Sequence, residues 1–167
     1  MLPRHLRAFN AFVNGQGWAG RVEEVELPAV KVKREEFRGG GMNAPKQLDM
    51  GTEALEAKLT FAEYLPEIVR CVALGDTMAT RVQLRGAIQR NGEAALPVVV
   101  DLIGSFDESE MGTWKEGDNG KHEITMSAGY YKLSIDGQRL IEIDVDNCIR
   151  IVGDNDVLES IRSAIGL

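Results

Sequence analysis

Cysteine is scarce in this sequence, and positively charged residues are fewer than negatively charged ones. The 167 residues include two cysteines, Cys71 and Cys148, which are too few and too far apart for a disulfide scaffold or a cysteine-based zinc site, so we expect both to be reduced. Lysine and arginine number 19 against 26 aspartate and glutamate residues, and the formal net charge is -7. Bulk charge therefore disfavours specific nucleic-acid binding, because contact with DNA phosphates should be repulsive.

Long apolar runs are missing as well, and histidines are few. No stretch approaches the roughly 18 apolar residues that a membrane span needs, and no apolar segment follows the start of the chain. We expect no membrane insertion, and synthesis in the cytoplasm without signal-dependent export. The only histidines are His5 and His122, so the sequence offers few residues from which a Ser-His-Asp or Cys-His catalytic site could form. We predict no catalytic residues and no enzyme activity.

Two fragments of ligand-binding motifs lack the context that they require. Gly39, Gly41 and Ala44 fit a degenerate dinucleotide pattern, but Pro45 stands where a helix should continue. His122 begins like a zinc-protease motif, but Met126 occupies the position of the second histidine. We therefore predict no cofactor and no metal.

Alternation of apolar and polar residues with period 2 is the dominant pattern, and it is typical of half-buried strands. It is clearest in residues 55–61 and 81–85. Together with glycine, asparagine and aspartate between the segments, it predicts a mainly β fold, a small antiparallel β-barrel or sandwich in one domain spanning residues 1–167. Further strands are predicted at 7–14, 18–26, 29–37, 96–105, 122–135 and 140–145.

A hairpin is predicted around Asp136-Gly137. A three-residue loop would place Tyr131 and Leu133 on the same side as Ile141 and Ile143, whereas a two-residue loop would mix the faces, so we predict the longer loop.

Two short helices complete the prediction, one flanking the sheet and one at the C-terminus. The first begins near Pro66 and ends at Gly75, and the second begins with a capping box of Asp156 and Glu159. Each should turn an apolar side to the core, formed by Ile68, Val69, Val72 and Ala73 in the first and by Val157, Leu158, Ile161 and Ile165 in the second.

Residues 38–51 interrupt the strand pattern. Most connections have about 4 to 6 residues, so a segment of this length usually serves a purpose such as binding a partner. The segment contains Met42, Leu48 and Met50, and methionine adapts to irregular apolar surfaces. We predict an extended assembly loop.

Motifs along almost the whole chain resemble a known family. They include Leu2-Pro3-Arg4, Arg38-Gly39-Gly40-Gly41-Met42, Leu48-Asp49-Met50-Gly51, Leu96-Pro97-Val98-Val99, Gly112-Thr113-Trp114-Lys115, Tyr130-Tyr131-Lys132-Leu133 and Glu142-Ile143-Asp144. This set is similar to the major tail tube protein of contractile-tailed phages, and still more to the tube protein of R-type pyocins, which are headless bacteriocins.

The resemblance implies a structural subunit of an inner tail tube. Six copies would form a ring, and rings would stack helically into a hollow tube for DNA in a phage or ions in a bacteriocin. The implied partners are the tail sheath, a tape-measure protein in the lumen, the baseplate hub and the tail terminator. The subunit would be part of a virion or tailocin particle assembled in the host cytoplasm.

The resemblance also implies two groups of contact residues. Candidates for contacts between subunits or rings are Leu2, Pro3, Arg4, Phe9, Arg38, Gly39, Gly40, Gly41, Met42, Leu48 and Met50. Candidates for the lumen wall are Glu35, Glu56 and Asp101, because a negative wall would let DNA slide instead of binding it.

Other functions remain open at this point. A type VI secretion tube protein would share the architecture, although the Arg-Gly-Gly-Gly-Met motif favours the phage-type tube. An enzyme or a carbohydrate-binding β-domain would instead be a stable monomer with a ligand cleft.

Overall fold

A computed structural model describes residues 2–72 and 80–167, in which the chain forms twelve strands and two helices. Strand is the dominant secondary structure, as the alternation predicts. The elements are β1 His5–Val13, β2 Gln16–Gly17, β3 Val22–Glu26, β4 Val32–Phe37, β5 Lys46–Thr52, β6 Leu55–Phe61, α1 Pro66–Cys71, β7 Thr80–Gln89, β8 Leu96–Glu110, β9 His122–Ile135, β10 Gln138–Asp144, β11 Ile149–Val152, β12 Asn155–Asp156 and α2 Glu159–Ile165.

Ten of these strands form one antiparallel sheet built around β9. The hydrogen-bonded order is β12-β11-β10-β9-β8-β7-β1-β2, and β6 joins a second part of β9 and carries β3 on its far side. Residues 122–128 of β9 pair with β6, whereas residues 130–135 pair with β10. Strands β6 and β10 therefore lie one after the other along the same edge of β9.

The sheet is not closed into a barrel within the described residues. Strand β3 pairs with β6 alone, and β1 pairs with β7 along its length but with β2 only at Phe12 and Val13. One edge of β1 and one edge of β3 thus have main-chain groups without a strand partner in this part of the chain. Of the predicted architectures, the closed barrel is not observed.

One face of the sheet forms the core. In β6 the buried apolar side chains are Leu55, Ala57, Leu59 and Phe61, and Glu56 between them is exposed, as the alternation predicts. Helix α1 adds Ile68, which is 1% exposed. Burial of the apolar side chains on one face of the sheet is the main driving force for folding.

The hairpin between β9 and β10 has a shorter loop than predicted and a bulge in β10. Asp136 and Gly137 form a two-residue turn with positive φ values of 52° and 75°, so the predicted three-residue loop is wrong. A bulge at Leu140 then shifts the register, so that Ile141 pairs with Leu133 and Ile143 with Tyr131. The predicted side-chain pairing is confirmed, because the bulge replaces the extra loop residue.

Both helices are shorter than their patterns suggested. Helix α1 ends at Cys71, and the predicted end at Gly75, like Ala73, lies outside the described residues. The predicted capping box is wrong, because Leu158 precedes α2 and no side chain caps the helix. Asp156 instead accepts a hydrogen bond from the Leu158 N–H at 3.2 Å and pairs with Arg162 at 2.6 Å.

His122 is a polar side chain enclosed in this core. Its exposed fraction is 0%, and its Nε2 lies 2.7 Å from the Ser109 hydroxyl oxygen. The rings of Phe61 and Tyr64 lie with their centroids 6.2 Å away. Burial lowers the pKa of His122 below its usual value, because the imidazolium form is poorly solvated there.

Stability should therefore decrease as the pH falls below about 6.5, because the unfolded chain binds a proton that folded His122 resists. The free energy of unfolding should fall by no more than about 1.4 kcal/mol per pH unit. The fall should stop once the pH is below the pKa of His122 in the folded protein. Urea unfolding at several pH values from 7.5 to 5 measures it. His122→Asn should remove this slope and the exposed His5→Asn should keep it; equal slopes in wild type and His122→Asn would contradict the assignment.

Candidate assembly surfaces

Strands β4 and β5 form a separate two-stranded sheet, which we call the arm, residues 32–52. The predicted loop at 38–51 is thus partly wrong, since Lys46–Thr52 is a strand and the connection comprises residues 38–45. Alternation failed to reveal β5 because every residue of β4 and most of β5 are exposed, so neither strand has a buried side. A two-stranded hairpin alone is marginally stable in water, so the arm is suited to gaining a partner.

The tip of the arm brings several predicted contact residues together. The Arg38 Nε donates to the Met42 carbonyl oxygen at 3.3 Å, and the Gly39 N–H lies 3.2 Å from the Met42 sulfur. Gly40 and Gly41 complete the turn between them. The Arg-Gly-Gly-Gly-Met motif therefore shapes a compact turn.

The two faces of the arm differ in chemistry. On one face, Asp49 binds Arg150 of β11 at 2.7 Å, and this guanidinium lowers the pKa of Asp49. The opposite face presents Phe37 and Leu48, which are 53% and 40% exposed and lie diagonally across the β4–β5 pair. Met50, also exposed, follows on β5. Glu35 and Lys46 share this face, because they pair directly with Leu48 and Phe37. The arm is thus anchored by an ion pair on one side and presents two large apolar side chains between charged ones on the other.

The N-terminal candidates lie on β1 or just before it, and not on the arm. The Leu2 carbonyl accepts a hydrogen bond from Arg90 at 2.6 Å, and Arg4 pairs with Glu93 at 3.4 Å. Pro3 lies between them and is exposed. Phe9 lines an apolar cavity of about 110 Å³. This segment is held against the β7–β8 connection.

We call that cavity the seam, because it lies between the open edges of β1 and β3. Its wall includes Leu6 and Phe9 of β1, Val25 of β3, Leu27 just after it, and Gly86 and Val98. Leu6 is 56% exposed and Leu27 is 44% exposed. The apolar core is therefore accessible at the place where the sheet fails to close.

The outward face of the sheet has an acidic part. The register places Glu24, Thr60, Glu123 and Glu110 in one row across β3, β6, β9 and β8, and Glu26, Lys58, Thr125 and Glu108 in the next. Glu56 follows in a third row beside Ser127. Nearby carboxylates raise the pKa of Lys58, first Glu123 through a hydrogen bond and then Glu110 and Glu26 through charge. Glu110 and Glu123 lie directly opposite each other, and repulsion between their like charges destabilises the sheet at this point.

The three lumen candidates occupy different positions. Glu56 belongs to the acidic rows, and Asp101 lies on the outward face of β8 beside β7, where Gln83 donates to it at 2.8 Å and Arg81 lies 3.4 Å away. Glu35 lies on the arm opposite Leu48, so the structure does not bring it to the other two. Glu108 and Glu110 were not among the predicted lumen residues, because the strand was predicted to end at residue 105 and the run of residues 107–110 is polar at every position, which gives no apolar-polar alternation.

Helix α2 contradicts the expectation that its apolar side faces the core. Val157, Ile161 and Ile165 are 39%, 51% and 61% exposed, and the helix has no buried residue. Val157 and Ile161 instead line a groove of about 590 Å³ together with Met50 and Val145. The amphipathic pattern correctly predicted an apolar stripe on this helix. It did not predict that the stripe stays exposed instead of packing on the core.

Reaction chemistry is not evident in residues 2–72 and 80–167. No group of three or more His, Cys, Asp or Glu side chains there could hold a metal ion, and none of the helices described could cross a bilayer. The surface features that stand out are open strand edges, an exposed arm and apolar patches. They define a β-sheet protein whose candidate sites are surfaces for contact with other chains.

Comparison with known proteins identifies the family. The family model described as phage tail tube protein FII matches residues 3–166. The tail tube protein of Escherichia phage P2 is 33% identical over 171 residues, with 99% of both chains covered. The major tail tube protein of Serratia phage KSP20 is 34% identical over 169 residues, covering 99% of this chain and 98% of its own. This chain belongs to the phage tail tube protein family, whose members are structural proteins.

Solved structures of an extracellular contractile injection system share the fold. The sheath/tube terminator in its extended state matches with a TM-score of 0.63 at 12% identity, covering 80% of this chain and 98% of that chain. The sheath-tube complex matches with a TM-score of 0.62 at 12% identity, covering 79% and 91%. The resemblance to phage tail tube proteins is thus confirmed, whereas a closer relation to R-type pyocin tubes stays a prediction.

Proposed function

We propose that this chain is the subunit of the inner tube of a contractile injection particle, forming hexameric rings that stack helically. The observation that carries the proposal is the pair of open edges on β1 and β3 in a member of the tail tube family. Exposed edges are a liability in a monomer, but a neighbouring copy can complete them. Stacking needs a heterologous contact, and the arm and the N-terminal segment supply surfaces for one.

A ring of this kind has the dimensions of a channel. If each of six copies contributes four strands, a spacing of about 4.8 Å and a tilt near 40° give a barrel roughly 50 Å across. We propose that the outward polar face lines this channel, with Glu56 and Asp101 on its wall at different heights and Glu35 on the arm. A predominantly acidic wall would repel DNA phosphates and let the duplex pass.

The remaining assignments follow from membership in such a particle. The tube would contact the sheath outside, a tape-measure protein inside, and the baseplate hub and tail terminator at its ends. Assembly would take place in the host cytoplasm, and the cargo would be DNA in a phage or ions in a headless bacteriocin.

Electron microscopy of the purified protein tests this function. We expect hexameric rings or hollow tubes in negative stain, with Glu56 and Asp101 on the inner wall in a cryo-EM reconstruction. Concentrated protein that stays monomeric under all conditions would contradict the tube assignment. Tubes with both residues on the outer wall would contradict only the lumen assignment.

A further inference from the structure

We propose that the seam is a docking site for the arm of a second copy of this chain. The inference rests on the proposed function, because it names the contact that would join copies in the tube. It assigns Phe37 and Leu48 of one copy to the apolar wall formed by Leu6 and Leu27 of the next.

The seam requires a cover that the described chain does not supply. Its cavity of about 110 Å³ leads from the surface toward buried core residues, and its lining is apolar. Gly86 forms part of this wall, and its lack of a side chain leaves room in the cavity. Apolar surface of this kind, flanked by two unpaired strand edges, is typical of a site that another chain completes.

The arm presents two large apolar side chains next to each other on one face. Phe37 and Leu48 lie on the side opposite Asp49, and both are among the exposed large apolar side chains. An aromatic and an aliphatic side chain that are adjacent on a hairpin face form a compact anchor of the kind that dominates interfaces. Their size suits a shallow cavity better than a flat surface.

Charge distinguishes the arm from the other exposed apolar segment, helix α2. On the arm, four cations have no carboxylate within 4.0 Å in residues 2–72 and 80–167, and two carboxylates have no cation within that distance, so the unpaired charge of the arm is net positive. The cations are Lys33, Arg34, Arg38 and Lys46, and the carboxylates are Glu35 and Glu36. On β3, Glu24 and Glu26 likewise have no cation within that distance among those residues. An arm whose unpaired charge is net positive is electrostatically complementary to a strand with unpaired carboxylates, whereas α2 carries one glutamate and one arginine.

The placement of the two surfaces favours contact between copies. The arm is tied to β11 by Asp49 and Arg150, whereas the seam borders β1, and four strands separate β11 from β1 in the sheet order. A contact between two different surfaces of the same chain is heterologous and can repeat indefinitely. One arm and one seam per copy would therefore propagate an assembly.

Disulfide trapping tests the contact directly. The background carries Cys71→Ser and Cys148→Asn, the latter because residue 148 has a φ of 53°, which asparagine tolerates. One protein carries Leu48→Cys, and a second, larger by a tag, carries Leu6→Cys. After mixing, assembly and oxidation, we expect the mixed dimer as the main cross-linked product. Leu140→Cys, at a site 40% exposed, replaces Leu6→Cys in the matched control and should give only traces.

A charge exchange provides a second measurement. Arg38→Glu with Lys46→Glu should abolish assembly, and so should Glu24→Lys with Glu26→Lys, while circular dichroism reports folded protein in each case. Mixing the two variants, or combining the four substitutions in one chain, should restore tubes. Merely structural damage would not be rescued in this way.

The outcomes separate this inference from the proposed function. Wild-type tubes with a Leu6–Leu48 cross-link no stronger than the Leu140 control, or a four-residue variant that stays unassembled, would overturn the docking site and leave the tube function standing. Failure of the wild-type protein to form rings or tubes under any condition would overturn both.

Discussion

Replacing Phe37 and Leu48 of the arm by serine should abolish tube formation and leave the subunit folded. Both side chains are exposed in the isolated chain, at 53% for Phe37 and 40% for Leu48, so their loss should change the free energy of unfolding by only about 0.5 kcal/mol. As interface anchors, each should contribute about 2 kcal/mol to assembly, so the critical concentration should rise about a thousandfold. Sedimentation and negative-stain microscopy over a concentration series measure this change.

The opposite face of the arm provides the matched control. Glu36 and Gln47 are a cross-strand pair joined by a hydrogen bond of 3.0 Å, so replacing both by serine weakens the hairpin without altering its apolar face. This control should still form tubes. If Phe37→Ser with Leu48→Ser assembles at the wild-type concentration, the arm is not an assembly element.

The strands of the main sheet were predictable because one of their faces is buried. Leu55, Leu59 and Phe61 alternate with polar residues, and a period of 2 requires the core to lie on one side. One-sided burial therefore gives the sequence a visible alternation in β6, β9 and most of β8. The family resemblance was predictable for a different reason, since short motifs persist in order along the whole chain.

The surfaces were less predictable because no burial within one chain defines them. Strand β5 has exposed residues on both faces, so nothing in its sequence indicated a strand. Helix α2 shows an apolar stripe, but the stripe alone does not tell whether the same chain or a partner covers it. The acidic rows of Glu24, Glu110 and Glu123 depend on strand register, which only the pairing of distant segments sets.

A methyl group added at Gly104 should destabilise the fold more than any exposed change in the arm. Gly104 lies where a bulge shifts the register between β8 and β9. An added Cβ would overlap the Ser127 carbonyl oxygen and come within 2.8 Å of the Ala128 Cα. Because these are backbone atoms of the central strand, the two strands must separate for the side chain to fit. We expect Gly104→Ala to cost at least about 3 kcal/mol.

Urea unfolding measures this cost, and Gly40→Ala is the control. Since small domains lose about 1 to 3 kcal/mol per molar urea, the midpoint of Gly104→Ala should fall by about 1 M or more, or the variant should not fold. An added Cβ at Gly40 would meet nothing within 4 Å, and its φ is not in the left-handed region, so the midpoint of that variant should stay unchanged. A Gly104→Ala midpoint equal to that of the wild type would show that β8 and β9 are farther apart at this point. The cause of the loss is local contact between two backbones, so Gly104→Ser should be no less destabilising than Gly104→Ala.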